Sequence, residues 1–213
     1  MHRYANTIIS FLFPPLCLHC RREGVWLCPA AQEEIESLTV LKNPLSIDCV
    51  DRVICRGEYD APVLGTIIQK VKYDFLTAPA EIFPSLLEPL RFELNGVAKD
   101  TVIVPIPLHW RRRLSRGFNQ SELIAKALSS TTGIPVMNLL QRHRATTPQV
   151  KLNSQDRITN VVGAFRGRPV AKMPREVILV DDVITTGSTI KECAAVLRAA
   201  GVQKISAVAL AKG

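Results

Sequence analysis

The sequence predicts an α/β fold built around a parallel sheet that is flanked by helices. Residues 101–105, 176–180 and 204–211 form apolar runs of the kind found in strands that are buried on both faces. Residues 119–131 and 189–200 follow the first two of these runs and carry apolar side chains at the spacing of a helix. Strands and helices that alternate in this way are typical of a parallel sheet covered on both sides.

Earlier in the chain the predicted elements are shorter and less regular. Pro79, Pro84 and Pro89 interrupt a helical pattern, so we expect several short helices there rather than one long helix. Besides the strands and helices given above, the sequence predicts, in order, a helix at 32–38, a connector at 41–47, a strand at 53–59, a helix at 62–73, short helices within 75–94 and a strand at 136–140. The change from an irregular, cysteine-bearing sequence to strand and helix patterns predicts two parts: a cysteine-bearing segment at 1–50 and the α/β domain at 51–213.

The composition of the 213 residues is that of a globular protein, with 47% hydrophobic and 22% charged residues. This excludes a largely disordered chain. Lysine and arginine number 27 against 19 acidic residues, which gives a net charge of +8. A surplus of this size predicts anionic partners such as phosphate, nucleic acid or a membrane surface, without choosing among them.

An apolar run from Ile8 to Phe13 lies near the N-terminus. It is much shorter than the ~20 residues that span a bilayer. It fits a signal peptide poorly, because only His2 and Arg3 precede it and Cys17 follows where small residues are expected. We predict an amphipathic helix at 3–13 that packs on the rest of the chain, with peripheral membrane contact as the alternative. No stable membrane insertion is expected, and the protein is predicted to be cytoplasmic.

Cysteines in the first 50 residues have the spacing of metal ligands. Cys17 and Cys20 form a CxxC knuckle, whose two thiolates can bind one tetrahedral Zn²⁺. Cys28 follows at the distance expected for a second knuckle. In a reducing cytoplasm, disulfides are not expected at these positions. The sequence therefore predicts that Cys17, Cys20 and Cys28 are metal ligands.

The second knuckle lacks its other half, because Ala31 stands where a fourth thiolate is expected. The set could be completed by Cys49 or, less easily, by His19. A zinc-binding segment and a degenerate one that has lost its metal both remain open. Cys55 and Cys193 lie in a strand pattern and a helix pattern, respectively, and are predicted to be core residues.

The residues that follow the apolar run at 176–180 predict an anion site. Asp181 and Asp182 extend from the strand towards the carboxyl edge of the sheet, where ligands of parallel sheets bind. Five residues with small or hydroxyl side chains then open a helix, and they are Thr185, Thr186, Gly187, Ser188 and Thr189. A glycine turn at a helix N-terminus binds phosphate, whereas carboxylates accept hydrogen bonds from vicinal hydroxyls or hold a divalent cation. Phosphate and diol together are the groups of a ribose 5-phosphate.

Two basic segments carry much of the positive surplus. The first follows the strand at 101–105, and its candidate anion-binding residues are His109, Arg111, Arg112, Arg113 and Arg116. Arginine suits bidentate binding of phosphate oxygens. The second is a polar loop whose candidate residues are Arg144, Gln149, Lys151 and Arg157. A flexible lid over a phosphate site has this composition, and so has an ordinary surface loop.

The segment from Val177 to Thr189 closely resembles the motif by which type I phosphoribosyltransferases bind phosphoribosyl pyrophosphate (PRPP). In that family two acids contact the ribose hydroxyls, and a Thr/Gly/Ser loop wraps the 5-phosphate. The resemblance implies the first role for Asp181 and Asp182 as catalytic residues, and the second for residues 185–189. It also implies Mg²⁺, bound chiefly by PRPP itself.

Nearly the whole chain resembles the ComF competence family. The resemblance rests on Phe13-Pro14-Pro15 before Cys17 and Cys20, Arg116-Gly-Phe-Asn-Gln120, Thr147-Pro-Gln149, Arg157, Asn160 and Gly163-Ala-Phe165. It implies a zinc-ribbon-like N-terminal segment joined to a type I phosphoribosyltransferase-like domain. It also implies a link to the uptake of single-stranded DNA in natural transformation, beside a DNA-translocating helicase. Ala31 departs from the family pattern.

Two functions are compatible with this resemblance. In the first, the protein binds PRPP and transfers its ribose phosphate to an acceptor that the sequence does not identify. In the second, it is a non-catalytic module that keeps only the PRPP fold and handles nucleic acid. Arg111 to Arg113 would then contact phosphates, and Trp110 and Phe118 would stack on bases.

Overall fold

The computed structural model describes residues 14–73, 79–109, 117–144 and 161–213, with side chains for all of them except 71–73 and 79–81. The helix predicted at 3–13 lies outside these residues. The described helices and strands are, in chain order, α1 (Pro29–Ser37), β1 (Leu41–Lys42), β2 (Arg52–Glu58), α2 (Pro62–Tyr73), α3 (Pro79–Glu93), β3 (Val102–Pro105), α4 (Gln120–Thr132), β4 (Leu140–Arg142), β5 (Phe165–Gly167), β6 (Glu176–Ile184), α5 (Ser188–Ala199) and β7 (Lys204–Lys212).

A five-stranded sheet in the order β1-β2-β7-β6-β3 forms the centre of the fold. Strands β2, β7, β6 and β3 are parallel to their neighbours, and only the two-residue β1 pairs antiparallel, with β2. The predicted α/β fold with a parallel sheet is therefore confirmed. A separate pair, β4 and β5, is antiparallel. The strand predicted at 136–140 is reduced to one isolated bridge, between Ile103 and Val136, before β4 begins.

Alternate residues of the sheet face two separate hydrophobic cores. On β2, for example, Ile54 belongs to the first core, whereas Val53 and Cys55 belong to the second. Helices α2, α3 and α4 cover the first face with fully buried side chains such as Leu64, Phe83 and Leu128, and α5 covers the second. Strands that are buried on both faces have to be apolar throughout, which explains the uninterrupted runs in the sequence.

The cysteine-bearing segment packs on the first face of the sheet. Cys17, Leu18, Cys28 and Ile35 are buried in the same core as the α2, α3 and α4 side chains. Strand β1, near the end of this segment, also extends the sheet by pairing Leu41 with Cys55 and Lys42 with Ile54. The segment thus supplies both core residues and a short edge strand to the sheet.

Helix α3 is continuous, so the prediction of several short helices was wrong. It runs from Pro79 to Glu93 with Pro84 and Pro89 inside it. Each internal proline costs about 3 kcal/mol in a helix. Four side chains of this helix are completely buried, namely Phe83, Leu86, Leu87 and Leu90. Each buried side chain of this size contributes about 1.5–3 kcal/mol, so packing on the sheet offsets the two prolines.

Candidate functional site

Two adjacent carboxylates lie in the second half of β6, beyond the end of its neighbour β3. The pairing of β3 with β6 ends at Pro105 and Val180, whereas β6 continues beside β7 as far as Ile184. The strand is thus longer than the predicted 176–180, because β7 also extends to residue 212 and pairs with it. Asp181 is therefore the first residue of β6 after its pairing with β3 ends, and it lies at the carboxyl edge of the sheet.

Hydrogen bonds from the protein fix the orientation of both carboxylates. Asp181 Oδ1 accepts hydrogen bonds from Ser121 Oγ at 3.0 Å and from the backbone N–H of Asp182 at 2.9 Å. Asp182 Oδ1 accepts one from the backbone N–H of Val183 at 2.7 Å. Both acids are half-buried. Such fixed carboxylates are suited to accept hydrogen bonds from ligand hydroxyls or to coordinate a hard cation such as Mg²⁺.

The predicted phosphate loop forms the turn between β6 and α5. Gly187 has φ of 74°, a left-handed conformation that favours glycine, and it occupies the N-cap position of α5 without a side-chain cap. Thr186 Oγ1 donates to Ser188 Oγ at 3.1 Å. A shallow pocket at this turn is lined by Asp181, Val183, Ile184, Thr185, Gly187, Ser188, Thr189 and Ile190. The structure thus brings Asp181 to the same pocket as four of the five predicted loop residues, whereas Thr186 is exposed and not part of the lining.

The connector between β1 and β2 supports this loop from behind. A Cβ atom added to Gly187 would lie 2.7 Å from Ile47 Cδ1 and 2.8 Å from Ile47 Cγ1. In the next turn of the same helix, Lys191 Nζ is 2.5 Å from Asp48 Oδ2. This support could not be predicted from the sequence, because the 41–47 segment has no periodic pattern and the residues that it contacts, in the loop before α5, are distant along the chain.

Strand β3 and helix α4 are linked by a buried asparagine. Asn119 is the N-cap of α4: its Oδ1 accepts a hydrogen bond from Ser121 N at 3.2 Å, and its Nδ2 donates to Ile106 O at 2.9 Å. This places Ser121 in the first turn of α4, where its hydroxyl reaches Asp181. The contact of Ser121 with the acid could not be predicted from the spacing of residues along the chain.

The basic segments lie mostly outside the described residues. His109 is buried after β3, and Arg144 Nη2 donates to Val162 O at 2.5 Å. The other candidates, outside the described residues, are Arg111, Arg112, Arg113, Arg116, Gln149, Lys151 and Arg157. Trp110 is also outside, and Phe118 packs partly buried against the first core, which does not favour it as a platform for base stacking.

Three cysteines come together at the N-terminus of α1. The ligand atoms of Cys17, Cys20 and Cys28 all lie within 4.8 Å of one another, with Cys20 Sγ 3.6 Å from Cys28 Sγ. Thiolates around a tetrahedral Zn²⁺, with Zn–S of about 2.3 Å, are about 3.8 Å apart, so the three sulfurs fit such an ion. The backbone N–H of Cys28 also donates to Cys17 Sγ at 3.3 Å.

The surroundings of Cys17 favour its thiolate, which is the form that binds metal. Burial by itself raises the pKa of this thiol, but hydrogen bonds from the backbone of Cys20, Cys28 and His19 outweigh the burial and lower the pKa to about 6. The thiols of Cys55 and Cys193, which lie outside the cluster, have their pKa shifted in the opposite direction. Burial raises the pKa of Cys55 to about 12 and that of Cys193 well above its ordinary value, which fits their predicted place in the core.

Cys49 does not join the cysteine cluster. Its neighbours Ile47 and Val50 pack in the core on the second face of the sheet, whereas Cys17 and Cys28 are buried on the first face. The backbone carbonyl of Cys49 accepts a hydrogen bond from Arg198 Nε of α5 at 3.2 Å. The sheet therefore separates Cys49 from the three sulfurs, and the structure does not support it as the fourth ligand.

Comparison with known proteins places this fold and its motifs in a family. Residues 122–213 match the phosphoribosyl transferase domain family. Competence protein F of Haemophilus influenzae is 30% identical over 92% of this chain and 96% of its own length. The chain belongs to the competence protein F (ComF) family. Another relative, the DNA utilization protein YhgH of Escherichia coli K12, is 32% identical over 85% of this chain and 82% of its own length.

Two weaker similarities were also found. Competence protein ComFC of Bacillus subtilis is 27% identical over 70% of this chain and 51% of its own length. A solved structure, the glutamine PRPP amidotransferase from B. subtilis complexed with ADP and GMP, is 22% identical, with a TM-score of 0.37 over 57% of this chain and 25% of that chain. The family match of residues 122–213 and the similarity to competence protein F confirm the predicted family and the phosphoribosyltransferase-type fold. Every helix in the described part of this ComF-family chain is too short or too polar to cross a lipid bilayer.

Proposed function

We propose that this ComF-family protein binds PRPP together with Mg²⁺ at the carboxyl edge of its sheet. The observation that carries the proposal is the single pocket shared by Asp181 and the turn before α5. Thr185 to Thr189 hold the 5-phosphate with hydroxyls and helix N-terminal amides. Asp181 and Asp182 accept hydrogen bonds from the ribose hydroxyls, and Ser121 holds Asp181 in place for this contact.

A transferase reaction at this site would be the attack of an acceptor nucleophile on the anomeric carbon of PRPP, which forms the new bond to ribose and releases pyrophosphate. Mg²⁺, bound with PRPP, would neutralise part of the pyrophosphate charge. Asp181 and Asp182 would stabilise the ribose as positive charge develops at that carbon, and the basic segment from His109 to Arg116 would bind the leaving pyrophosphate. Release of pyrophosphate from PRPP, with and without candidate nucleophiles, distinguishes a transferase from a protein that only binds.

The double variant Asp181→Asn plus Asp182→Asn is expected to weaken binding of Mg·PRPP about tenfold. Each neutral amide loses a charge-assisted hydrogen bond to a ribose hydroxyl, while relief of repulsion from the phosphates offsets part of that loss. Isothermal titration calorimetry on the purified full chain measures the affinity. The control is Asp100→Asn plus Glu88→Gln, which removes the same charge away from the pocket. Absence of PRPP binding by the unchanged protein, or equal affinity of the double variant, contradicts the proposal.

We further propose that the protein takes part in the handling of single-stranded DNA during uptake, beside a DNA-translocating helicase. Support comes from its relatives, two of which are called competence proteins and one a DNA utilization protein. The +8 net charge favours contact with phosphates. The alternative is a non-catalytic module that binds nucleic acid and keeps only the PRPP fold. DNA binding without PRPP binding would favour that alternative.

Glutamine at positions 111, 112 and 113 is expected to reduce the salt dependence of single-stranded DNA binding. Loss of three phosphate contacts lowers the slope of log K against log salt by about 2. Fluorescence anisotropy with labelled oligothymidine between 50 and 200 mM NaCl, a range over which the Debye length falls about twofold, measures this slope. The matched control removes three exposed charges that precede the amino ends of β3 and β6, at Lys99, Lys172 and Arg175. An unchanged slope in the arginine variant, or an equal loss of slope in the control, excludes Arg111 to Arg113 as the contact with DNA phosphates.

We also propose that Cys17, Cys20 and Cys28 hold a Zn²⁺ ion, and that residues 1–50 form a zinc-ribbon-like segment attached to a domain at 51–213. Zinc would link the knuckle at 17–20 to the start of α1. This link would stabilise a segment that is too short to form a hydrophobic core by itself. Metal analysis of the purified chain, before and after dialysis against a chelator, tests for the ion.

A further inference from the structure

The cysteine cluster supplies three of the four thiolates of a structural zinc site, and Ala31 stands in the sequence where the fourth is expected. Cys28 is the N-cap of α1, which makes Ala31 the third residue inside the helix. Side chains at the N-cap and at the third helical position lie next to each other, as in capping boxes. Ala31 is completely buried in the same core as Cys17 and Cys28. A methyl group therefore lies next to Cys28, at the position in the sequence where a fourth thiolate is expected.

The described residues supply no replacement for this missing thiolate. Across residues 14–73, 79–109, 117–144 and 161–213, the group of close ligand atoms from His, Cys, Asp and Glu contains Cys17, Cys20 and Cys28 alone. His19 lies inside the knuckle, is exposed and contributes its backbone, not its ring, to the Cys17 sulfur. Cys49 is exposed, and its neighbours Ile47 and Val50 pack in the core on the second face of the sheet.

The cluster is also accessible to small molecules from solution. Cys20 is exposed, whereas Cys17 and Cys28 are buried. A metal bound to the three sulfurs would thus be reached from the side of Cys20. Structural zinc sites are closed by four protein ligands, whereas sites with three protein ligands keep a position for water or another small ligand.

We propose that the metal site of this chain is a three-thiolate site whose fourth position is filled from solution, by water or by a small thiol. The inference rests on the proposed metal site and adds how it is completed. It predicts that the bound metal exchanges more readily than in a four-cysteine site and that one soft, monodentate donor can join it. Ala31→Cys should close the site with a fourth thiolate.

Cobalt(II) replaces Zn²⁺ as the probe, because its absorption reports the number of Co–S bonds. The purified full chain, its Ala31→Cys variant and the control Ala31→Ser are loaded with cobalt(II) in the absence of small thiols. We expect sulfur-to-cobalt charge-transfer absorption to be about one third stronger in Ala31→Cys, since four bonds replace three. The serine of Ala31→Ser is similar in size to cysteine but has no thiolate, so this variant should keep the spectrum of three Co–S bonds.

Titration of β-mercaptoethanol into the cobalt-loaded proteins tests the open position without depending on a variant. The unchanged protein should gain a fourth Co–S bond, and Ala31→Cys should not respond. Competition with a zinc chelator should show at least tenfold tighter zinc binding by Ala31→Cys.

Four Co–S bonds in the unchanged protein, lost in Cys49→Ser, would overturn the inference and leave the metal site standing. A change of the cobalt spectrum in His19→Ala or His2→Ala would do the same, because a protein imidazole would then fill the position. Absence of cobalt and zinc binding by the unchanged chain would overturn the metal site and this inference together.

Discussion

Replacing Arg56 by methionine is expected to lower the free energy of unfolding by about 3 kcal/mol. The side chain of Arg56, on β2, is 1% exposed. Its guanidinium donates to three backbone carbonyls: Leu86 O at 3.0 Å, Leu38 O at 2.8 Å, and Ile35 O. Each carbonyl left without this donor in the interior costs about 1–3 kcal/mol. Methionine has a similar volume but no donor, so the loss comes from the hydrogen bonds and not from a cavity.

This arginine links three parts of the fold that are far apart in sequence. Leu86 lies in α3, Ile35 in α1, and Leu38 just after α1. Burial lowers the pKa of Arg56, but arginine remains protonated in proteins. The buried charge therefore needs a partner, and the three carbonyl dipoles supply it. Lysine at this position is expected to give an intermediate loss, because one ammonium cannot match the planar guanidinium fork.

Urea unfolding followed by circular dichroism measures the effect of Arg56→Met. The matched control is Arg52→Met on the same strand, where the guanidinium is partly exposed and pairs with Glu93 at 2.5 Å. A pair of this kind contributes less than about 1 kcal/mol. Equal destabilisation by the two substitutions would show that Arg56 has no special role in joining α1 and α3 to the sheet.

Gly187→Ala is expected to weaken PRPP binding about 100-fold. Two effects act together at this position. A non-glycine residue at φ of 74° costs about 1 kcal/mol, and the new Cβ would lie 2.7 Å from Ile47 Cδ1. Ile47 is 6% exposed and packed in the second core, so it has little room to move. The turn has to shift instead, and its amides and hydroxyls no longer converge on one phosphate.

Controls separate the crowding at Gly187 from its backbone strain. Gly133 has φ of 75° but no atom within 4 Å of an added Cβ, so Gly133→Ala should cost some stability and leave PRPP affinity unchanged. Ile47→Ala combined with Gly187→Ala should recover part of the affinity, because it removes the clash. Calorimetry with Mg·PRPP measures all three. Affinity of Gly187→Ala within threefold of the unchanged protein would mean that this turn does not hold the phosphate.

Local patterns were sufficient to predict the sheet. The strands that carry Val104 and Leu179 are apolar throughout because both faces are buried, and Gly187 stands between acids and hydroxyls whose chemistry is distinctive. The prolines of α3 misled the prediction, because the cost of a proline is local whereas the packing that offsets it comes from distant residues. The partners of Arg56 and Gly187 depend on contacts across the fold, which spacing along the chain does not reveal.

The shortest strand of the sheet has a protective role. Strand β1 contributes only Leu41 and Lys42, yet it covers the outer edge of β2 at Cys55 and Ile54. An uncovered edge strand offers unpaired amides and carbonyls to other chains, and Ile54 and Cys55 are both fully buried hydrophobic residues. A shortened chain that begins at residue 51 would present that edge, together with the face of the sheet that α1 covers. We expect such a fragment to aggregate through β2, because Leu41 and Lys42 would no longer cover that edge.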